Sequence, residues 1–334
     1  MTVGELMTNT TARSGSNTDL TLEEAHFRAR VIDRERLADG VVGLTLVAEH
    51  GGPLPPWRPG AHIDLVLDEG LVRQYSLCGD PGDRSRYQVG VLLDVEGRGG
   101  SRRVHDEVHP GAVVEVRGPR NHFRLDDAER YLLVAGGIGI TPLLAMADEL
   151  DRTGRPWTLV YGGRTRSSMA YADRLSALGA HVRLWPQDEN GLIDLPALLA
   201  EPAPGTALYA CGPEPLLRAV EEHCAHWPPG SLHLERFAPK LIDTGGDTPF
   251  EIELPDGRVL HVPADRTTLE VLEDAGFDIL SSCREGTCGT CEVAIVEGEA
   301  NHRDSVLTTE EQAENSCMMV CVSRATSPRL VIDL

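Results

Sequence analysis

Three cysteines within nine residues constrain this chain more than any other feature. Cys283, Cys288 and Cys291 stand as Cys-x4-Cys-x2-Cys in the stretch Leu280-Ser-Ser-Cys-Arg-Glu-Gly-Thr-Cys-Gly-Thr-Cys291, and 29 residues separate Cys291 from Cys321. That is the spacing of a plant-type [2Fe–2S] site. One tight loop supplies three thiolates and a distant segment supplies the fourth. Gly286 and Gly289 lie between the cysteines, where the absence of a Cβ lets backbone N–H groups approach the sulfurs. A zinc site would pair two short Cys-x2-4-Cys knuckles, and the second knuckle is missing.

Two cysteines compete for the fourth position. Cys321 sits in Met318-Met-Val-Cys-Val-Ser-Arg324, an apolar run suited to a buried strand that delivers its sulfur to the loop. Cys317 precedes that run beside Asn315 and Ser316 and reads as a spare thiol.

The 334 residues are enough for two or three domains, each with its own core. Residues 1–20 are rich in Thr, Ser and Asn without an apolar stretch, the pattern of a disordered tail rather than a signal peptide. A cytoplasmic location is expected, where cysteines stay reduced and free for metal. The net charge of −21 argues against nucleic acid or anionic membranes as partners. From Asp247 to Leu334, 18 acidic side chains accompany six arginines and no lysine. Around an electron-carrying cluster, such a surface suits steering towards a basic patch on a partner protein.

Residues 21–125 alternate short apolar runs with Gly/Pro turns: Phe27–Ile32, Val41–Val47, His62–Leu67, Val72–Leu77, Tyr87–Leu93 and Ala112–Val116. Six such strands predict a small antiparallel β-barrel. On it lies Arg73-Gln-Tyr-Ser76. The Arg can pair with a phosphate, Tyr75 can pack on a ring and Ser76 can hydrogen-bond a ring nitrogen. Gly97-Arg-Gly-Gly-Ser101 precedes a short helix expected over Arg102–Val108. There Gly99 and Gly100 leave N–H groups for an anion, and Ser101 adds a hydroxyl or an N-cap.

Residues 126–237 alternate strands and helices, which predicts a parallel sheet covered on both faces. Tyr131-Leu-Leu-Val-Ala-Gly-Gly-Ile-Gly-Ile-Thr-Pro-Leu-Leu144 runs strand, glycine turn, helix, with Thr141 as a cap and Pro142 in the first turn. Helices are expected over Ser168–Leu178, Asp194–Leu199 and Glu214–His226. The Gly136-Gly-x-Gly139 turn admits a dinucleotide closely. Tyr161-Gly-Gly-Arg164 and Tyr209-Ala-Cys-Gly-Pro213 end two further strands at the same edge, where ligands bind in such sheets. Residues 238–247, with Gly245-Gly246, form a linker, and residues 248–334 carry the cysteine loop in an α+β unit.

Taken together, Arg73-Gln-Tyr-Ser76, Arg98-Gly-Gly-Ser101, Gly118-Pro-Arg-Asn-His-Phe123, the Gly136-to-Pro142 turn, Cys211-Gly-Pro213 and the Cys283–Cys321 set resemble the phthalate dioxygenase reductase and vanillate demethylase reductase family over residues 25–334. That family belongs to the ferredoxin-NADP reductase superfamily. The resemblance implies a β-barrel flavin domain, a nicotinamide domain and a β-grasp-like ferredoxin domain. It implies FMN (FAD in the wider superfamily) held by Arg73, Tyr75, Ser76, Val91, Leu92, Gly99, Gly100 and Ser101. Nicotinamide would meet Gly136, Gly137, Gly139, Thr141, Pro142, Cys211, Gly212 and Pro213, with Arg164 near the adenosine. Phe237 would cover the flavin ring with Glu235 close by, and Cys321 would be the fourth cluster ligand.

The implied activity is transfer of electrons from NADH, with NADPH as alternative, through a flavin to the cluster and on to a partner. A hydride carries two electrons and the cluster takes one, so a flavin must stand between them. The implied partner is a Rieske-type aromatic oxygenase or demethylase, or else a cytochrome P450. A redox-sensing binding protein and a zinc-stabilised interaction module are the readings from other classes.

Overall fold

The computed structural model describes residues 25–68, 71–240, 242 and 244–334; the tail expected over residues 1–20 lies outside the described residues. Six strands open the chain: β1 (His26–Ala38), β2 (Val41–Ala48), β3 (His62–Asp68), β4 (Leu71–Ser76), β5 (Tyr87–Leu92) and β6 (Val113–Arg120). They pair antiparallel in the order β4-β3-β6-β1-β2-β5. A bridge between Leu77 and Val89 joins the two outer strands, so the sheet closes into the expected barrel. Val31, Leu44, Leu46, Ile63, Leu65, Val89 and Val116 fill its interior.

Helix α1 (Gly100–Glu107) begins two residues earlier than the sequence suggests. Gly99, at φ +86°, turns the chain into the helix, a conformation that costs glycine little. Ser101 therefore lies inside the helix and is not its cap. Its hydroxyl accepts from Asp94 N–H at 3.0 Å.

The second sheet holds β7 (Arg130–Gly136), β8 (Trp157–Gly163), β9 (Val182–Pro186), β10 (Thr206–Cys211) and β11 (Leu232–Glu235). All are parallel, in the order β11-β10-β7-β8-β9. The connecting helices are α2 (Ile140–Thr153), α3 (Ala172–Ser176), α4 (Gln187–Asn190), α5 (Leu195–Leu199) and α6 (Glu214–His223). The chain builds outward from β7 to β9, then returns to β7's other side with β10. The strand order thus reverses between β7 and β10, the place where open α/β sheets take ligands.

Two expectations need correction here. Thr141 is not the cap of α2; Gly139 holds that position, and Thr141 Oγ1 donates to the Ile138 carbonyl at 2.9 Å. The helix expected over Ser168–Leu178 is broken. A 3-10 turn at Arg166–Ser168 closes on Thr165, Tyr171 sits at φ +61°, and only Ala172–Ser176 is α-helical. The Tyr171 hydroxyl meets Cys78 Sγ of the barrel at 3.1 Å, a tertiary contact that local propensity does not encode.

The C-terminal part contains β12 (Phe250–Glu253), β13 (Val259–Val262), α7 (Thr268–Asp274), β14 (Glu292–Glu297), β15 (Ala300–Asn301), α8 (Thr309–Glu314), β16 (Cys317–Met319), β17 (Arg324–Ala325) and β18 (Arg329–Asp333). Its main sheet runs β13-β12-β18-β14-β16, with β12 and β18 parallel and the other pairs antiparallel. Capping boxes, Thr267 with Glu270 and Thr308 with Glu311, start α7 and α8. The strand expected to carry Cys321 ends at Met319 and instead includes Cys317. Val322 and Ser323 N–H both donate to the Met319 carbonyl, so Cys321 is presented by a turn.

The cores show how these parts are joined. Phe123 and Cys78 of the barrel segment pack in one cluster with Tyr131, Leu133 and Tyr209, and Ala145 of α2 joins the barrel's own core. Barrel and parallel sheet thus share apolar packing. The third core draws only on residues 250–332. No helix among the described residues is long and apolar enough to cross a membrane.

Candidate functional site

β4, the start of α1 and the end of β11 converge on one cleft of ≈ 350 Å³. Arg73, Tyr75, Ser76, Gly100, Ser101, Glu235 and Phe237 all line it. Arg73 and Tyr75 share a strand face because side chains alternate with period two. Arg73 Nη1 donates to the Val72 carbonyl, while Nη2 is buried without a partner, as is the Tyr75 hydroxyl. A buried, unpaired guanidinium nitrogen is costly unless an anion meets it. A flavin phosphate fits that need, and the Tyr75 ring offers a face beside it. Gly100 is required by this packing, since a Cβ there would lie 2.5 Å from Arg73 Cγ. Val91 points into the barrel core and Leu92 is exposed, so neither lines the cleft. Gly99 acts one step back, by turning the chain into α1.

Phe237 is 47 % exposed on the cleft wall, where a ring can cover a planar ligand and still move aside. Beside it, burial pushes the Glu235 carboxyl up to about 8. Cys211 Sγ donates to Glu235 Oε2 at 3.9 Å, and burial together with the adjacent carboxylate raises the thiol well above its ordinary value. Cys211 is therefore a poor nucleophile here.

The nicotinamide motifs meet at the reversal between β7 and β10. A Cβ on Gly139 would lie 2.3 Å from the Cys211 carbonyl oxygen, and one on Gly136 would lie 2.7 Å from Pro213 Cδ. Gly212 and Gly136 are in equally close apposition. These glycines let two strand ends touch, whereas Gly137, at φ +55°, faces open space. Thr141 and Pro142 are buried at the first turn of α2, and Thr141 Cγ2 lies 3.0 Å from where a Cβ on Gly90 of the barrel would stand. Arg164 is exposed at the end of β8.

Cys283, Cys288, Cys291 and Cys321 are all buried, whereas Cys317 is partly exposed. Thiol contacts link them in a row, Cys288 to Cys283 to Cys321 to Cys291. Among the described residues no group of three or more His, Cys, Asp or Glu side chains is arranged as a single-ion site. Glu285 N–H donates to the Cys283 sulfur at 3.3 Å. The Thr287 N–H adds another donor at 3.4 Å. Such donors favour the thiolate that iron needs. Gly286, at φ +70°, and Gly289, at φ +73°, shape the loop.

Cys283 and Thr287 also line the flavin cleft, so the cysteine loop and the Tyr75 ring face one space. Sequence reasoning missed His62, Asp94, Arg98 and Pro239 on its wall. It also missed His122, whose ring fills the space a Gly289 side chain would need. Burial holds His62 down to about 3 and His122 to about 4, so both stay neutral. His62 opens β3 and His122 follows β6, so nothing local in the sequence pairs them.

Comparison with known proteins agrees with this geometry. The 2Fe-2S iron-sulfur cluster binding domain family matches residues 252–326, and the oxidoreductase NAD-binding domain family matches residues 133–222. Phthalate dioxygenase reductase of Burkholderia cepacia is 39 % identical over 319 residues, covering 93 % of this chain and 98 % of that protein. Vanillate O-demethylase oxidoreductase of Pseudomonas sp. (strain HR199 / DSM 7063) is 42 % identical over 315 residues, covering 91 % and 99 %. A crystal structure of an intact type IV self-sufficient cytochrome P450 monooxygenase superposes with TM-score 0.88 at 48 % identity, covering 92 % of this chain and 41 % of that longer one. A solved phthalate dioxygenase reductase gives TM-score 0.68 at 39 % identity, covering 92 % and 98 %. With a closed flavin-type barrel, a nicotinamide-type parallel sheet and a four-cysteine loop in one order, the chain belongs to the phthalate dioxygenase reductase family of oxidoreductases.

Proposed function

We propose that this protein is the NADH-dependent reductase component of a multicomponent oxygenase. It passes electrons singly from NADH through FMN and a [2Fe–2S] cluster to a Rieske-type aromatic oxygenase or demethylase. Its modules divide at residues 21–125, 126–237 and 248–334, and it works in the cytoplasm. Arg73 and the N–H groups at Gly99 and Gly100 hold the flavin phosphate; Tyr75 packs on the ring and Ser76 bonds its polar edge. The glycines at 136, 137, 139 and 212 let the dinucleotide approach, with Thr141, Pro142, Cys211 and Pro213 around the nicotinamide and Arg164 near the adenosine. Phe237 covers the ring until nicotinamide displaces it. Glu235 keeps its proton below about pH 8 and so leaves the hydride path without a negative charge. Cys283, Cys288, Cys291 and Cys321 bind the irons. When bound, the flavin supplies the conversion of a two-electron donor into one-electron steps; the protein supplies only position and electrostatics.

One observation carries this reading: the unpartnered Arg73 nitrogen and Tyr75 hydroxyl lie on a cleft that Cys283 also walls. Anaerobic mixing with NADH, followed at the flavin and cluster absorption bands, tests it. Reduction of the flavin and then of the cluster is expected; a cluster that stays oxidised would overturn it.

A second reading rests on the 48 % identity to the self-sufficient P450: the acceptor would then be a cytochrome P450. Electron delivery to a purified Rieske oxygenase and to a purified P450, compared side by side, separates the two.

A further inference from the structure

Asp64 on β3 is 0 % exposed, and its two carboxylate oxygens serve two distant parts of the chain. Oδ1 accepts from Arg120 Nη2 at 2.5 Å, on the neighbouring strand β6. Oδ2 accepts from Ser282 Oγ at 2.6 Å. Ser282 immediately precedes Cys283, the cysteine that walls the flavin cleft. Burying a carboxylate is expensive unless each oxygen is bonded. The barrel supplies one of these bonds and the cysteine loop the other.

Among the described residues, two further polar links and the packing of the His122 ring against Gly289 join the cysteine-bearing part to the rest. Arg98 Nη2 pairs with Glu285 at 2.8 Å, partly exposed, and Lys240 Nζ donates to the Asp304 carbonyl at 2.6 Å. Among the described residues no buried apolar cluster spans the two parts: the third core is built from residues 250–332 alone. Apolar packing is non-directional, so a cysteine loop seated by it could slide. A loop seated by a buried, two-oxygen carboxylate cannot move without breaking that bond. Exposed pairs such as Arg98–Glu285 contribute little.

We propose that Asp64, oriented by Arg120, is a positioning residue: through Ser282 it seats the Cys283 loop against the flavin cleft and sets the rate at which electrons reach the cluster. This rests on the flavin and cluster assignments above. The step moves one electron and makes no bond. A ferric iron becomes ferrous, and the electron is one of the pair delivered with the NADH hydride. The rate of such a step falls with the distance between donor and acceptor, so a loop that shifts away from the cleft slows it.

The test uses the full-length protein carrying flavin and cluster, as wild type, Ser282→Ala, Ser282→Thr and Asp64→Ala. Each is mixed anaerobically with NADH and followed separately at the flavin and cluster bands. Hydrogen exchange over residues 280–290 is measured on the oxidised protein without NADH. In Ser282→Ala, flavin reduction is expected at the wild-type rate, cluster reduction several-fold slower, and exchange in the loop faster. Ser282→Thr, which keeps the hydroxyl, restores both. Asp64→Ala leaves the cysteine-bearing part unchanged and removes both acceptor oxygens, so it slows cluster reduction as Ser282→Ala does. It also decides the matter if Ser282→Ala loses its cluster. Cluster reduction at the wild-type rate in the variants, with unchanged exchange, would overturn the proposal. A wild-type cluster that NADH never reduces would instead overturn the electron path itself.

Discussion

Gly100 lies so close to Arg73 that a side chain at residue 100 would occupy the space of the arginine: the Cβ would stand 2.5 Å from Arg73 Cγ and 2.7 Å from Nε. The glycine turn and the strand arginine are therefore packed as one unit. Gly100→Ala should push Arg73 aside and weaken flavin binding about tenfold, roughly 1.4 kcal/mol. Arg73→Ala removes the charge-assisted contact outright, on the order of 2 kcal/mol or more. Released flavin per chain after purification should be near zero in Arg73→Ala, while the cluster remains. Full flavin occupancy in that variant would refute the phosphate role.

The two C-terminal cysteines make a paired test. Cys321 is buried and in contact with Cys283 and Cys291, whereas Cys317 is partly exposed on β16. Cys321→Ser should bleach the visible iron–sulfur absorbance and Cys317→Ser should leave it. The opposite pattern would reassign the fourth ligand.

Glu235 predicts a pH dependence of stability in the flavin-depleted protein. Its carboxyl rises from 4.5 to about 8 through burial. Between those values the folded protein holds a proton that the unfolded chain has released. Stability contributed by this group is thus full below pH 4.5 and is lost as pH rises towards 8. Urea unfolding between pH 5 and 8.5 should show this decline, and Glu235→Gln should flatten it. A decline of equal slope in the variant would assign it to other groups.

Gly139→Ala should separate the ends of β7 and β10, because the new methyl would lie 2.3 Å from the Cys211 carbonyl oxygen. Overpacking of this kind costs about 1–3 kcal/mol. A lowered Tm with a raised KM for the nucleotide is expected; an unchanged Tm would mean the backbone yields freely there.

Nucleotide choice is the sharpest kinetic test. Arg164 and Arg166 are both exposed, and isolated surface cations contribute little without a converging geometry. We expect kcat/KM for NADH to exceed that for NADPH by about tenfold or more, the equivalent of roughly 1.4 kcal/mol. Parity or a preference for NADPH would show that the two arginines clamp the 2′-phosphate after all.

The chain's chemistry was legible wherever function needs specific residues at fixed short spacing. The Cys-x4-Cys-x2-Cys loop, the Arg73-to-Ser76 strand and the Gly136–Gly139 turn are local, and each was recognisable from residue type alone. Strand periodicity likewise located all six barrel strands, because one face of each must be apolar. Tertiary structure decided what depends on distant partners. Tyr171 breaks a helical run to reach Cys78, ninety-three residues away. Asp64 looks like one charged residue in an apolar strand until Arg120 and Ser282 arrive on either side of it. Local sequence carries backbone preference and chemical capability; which two oxygens, rings or sulfurs face each other is set by packing between segments far apart in the chain.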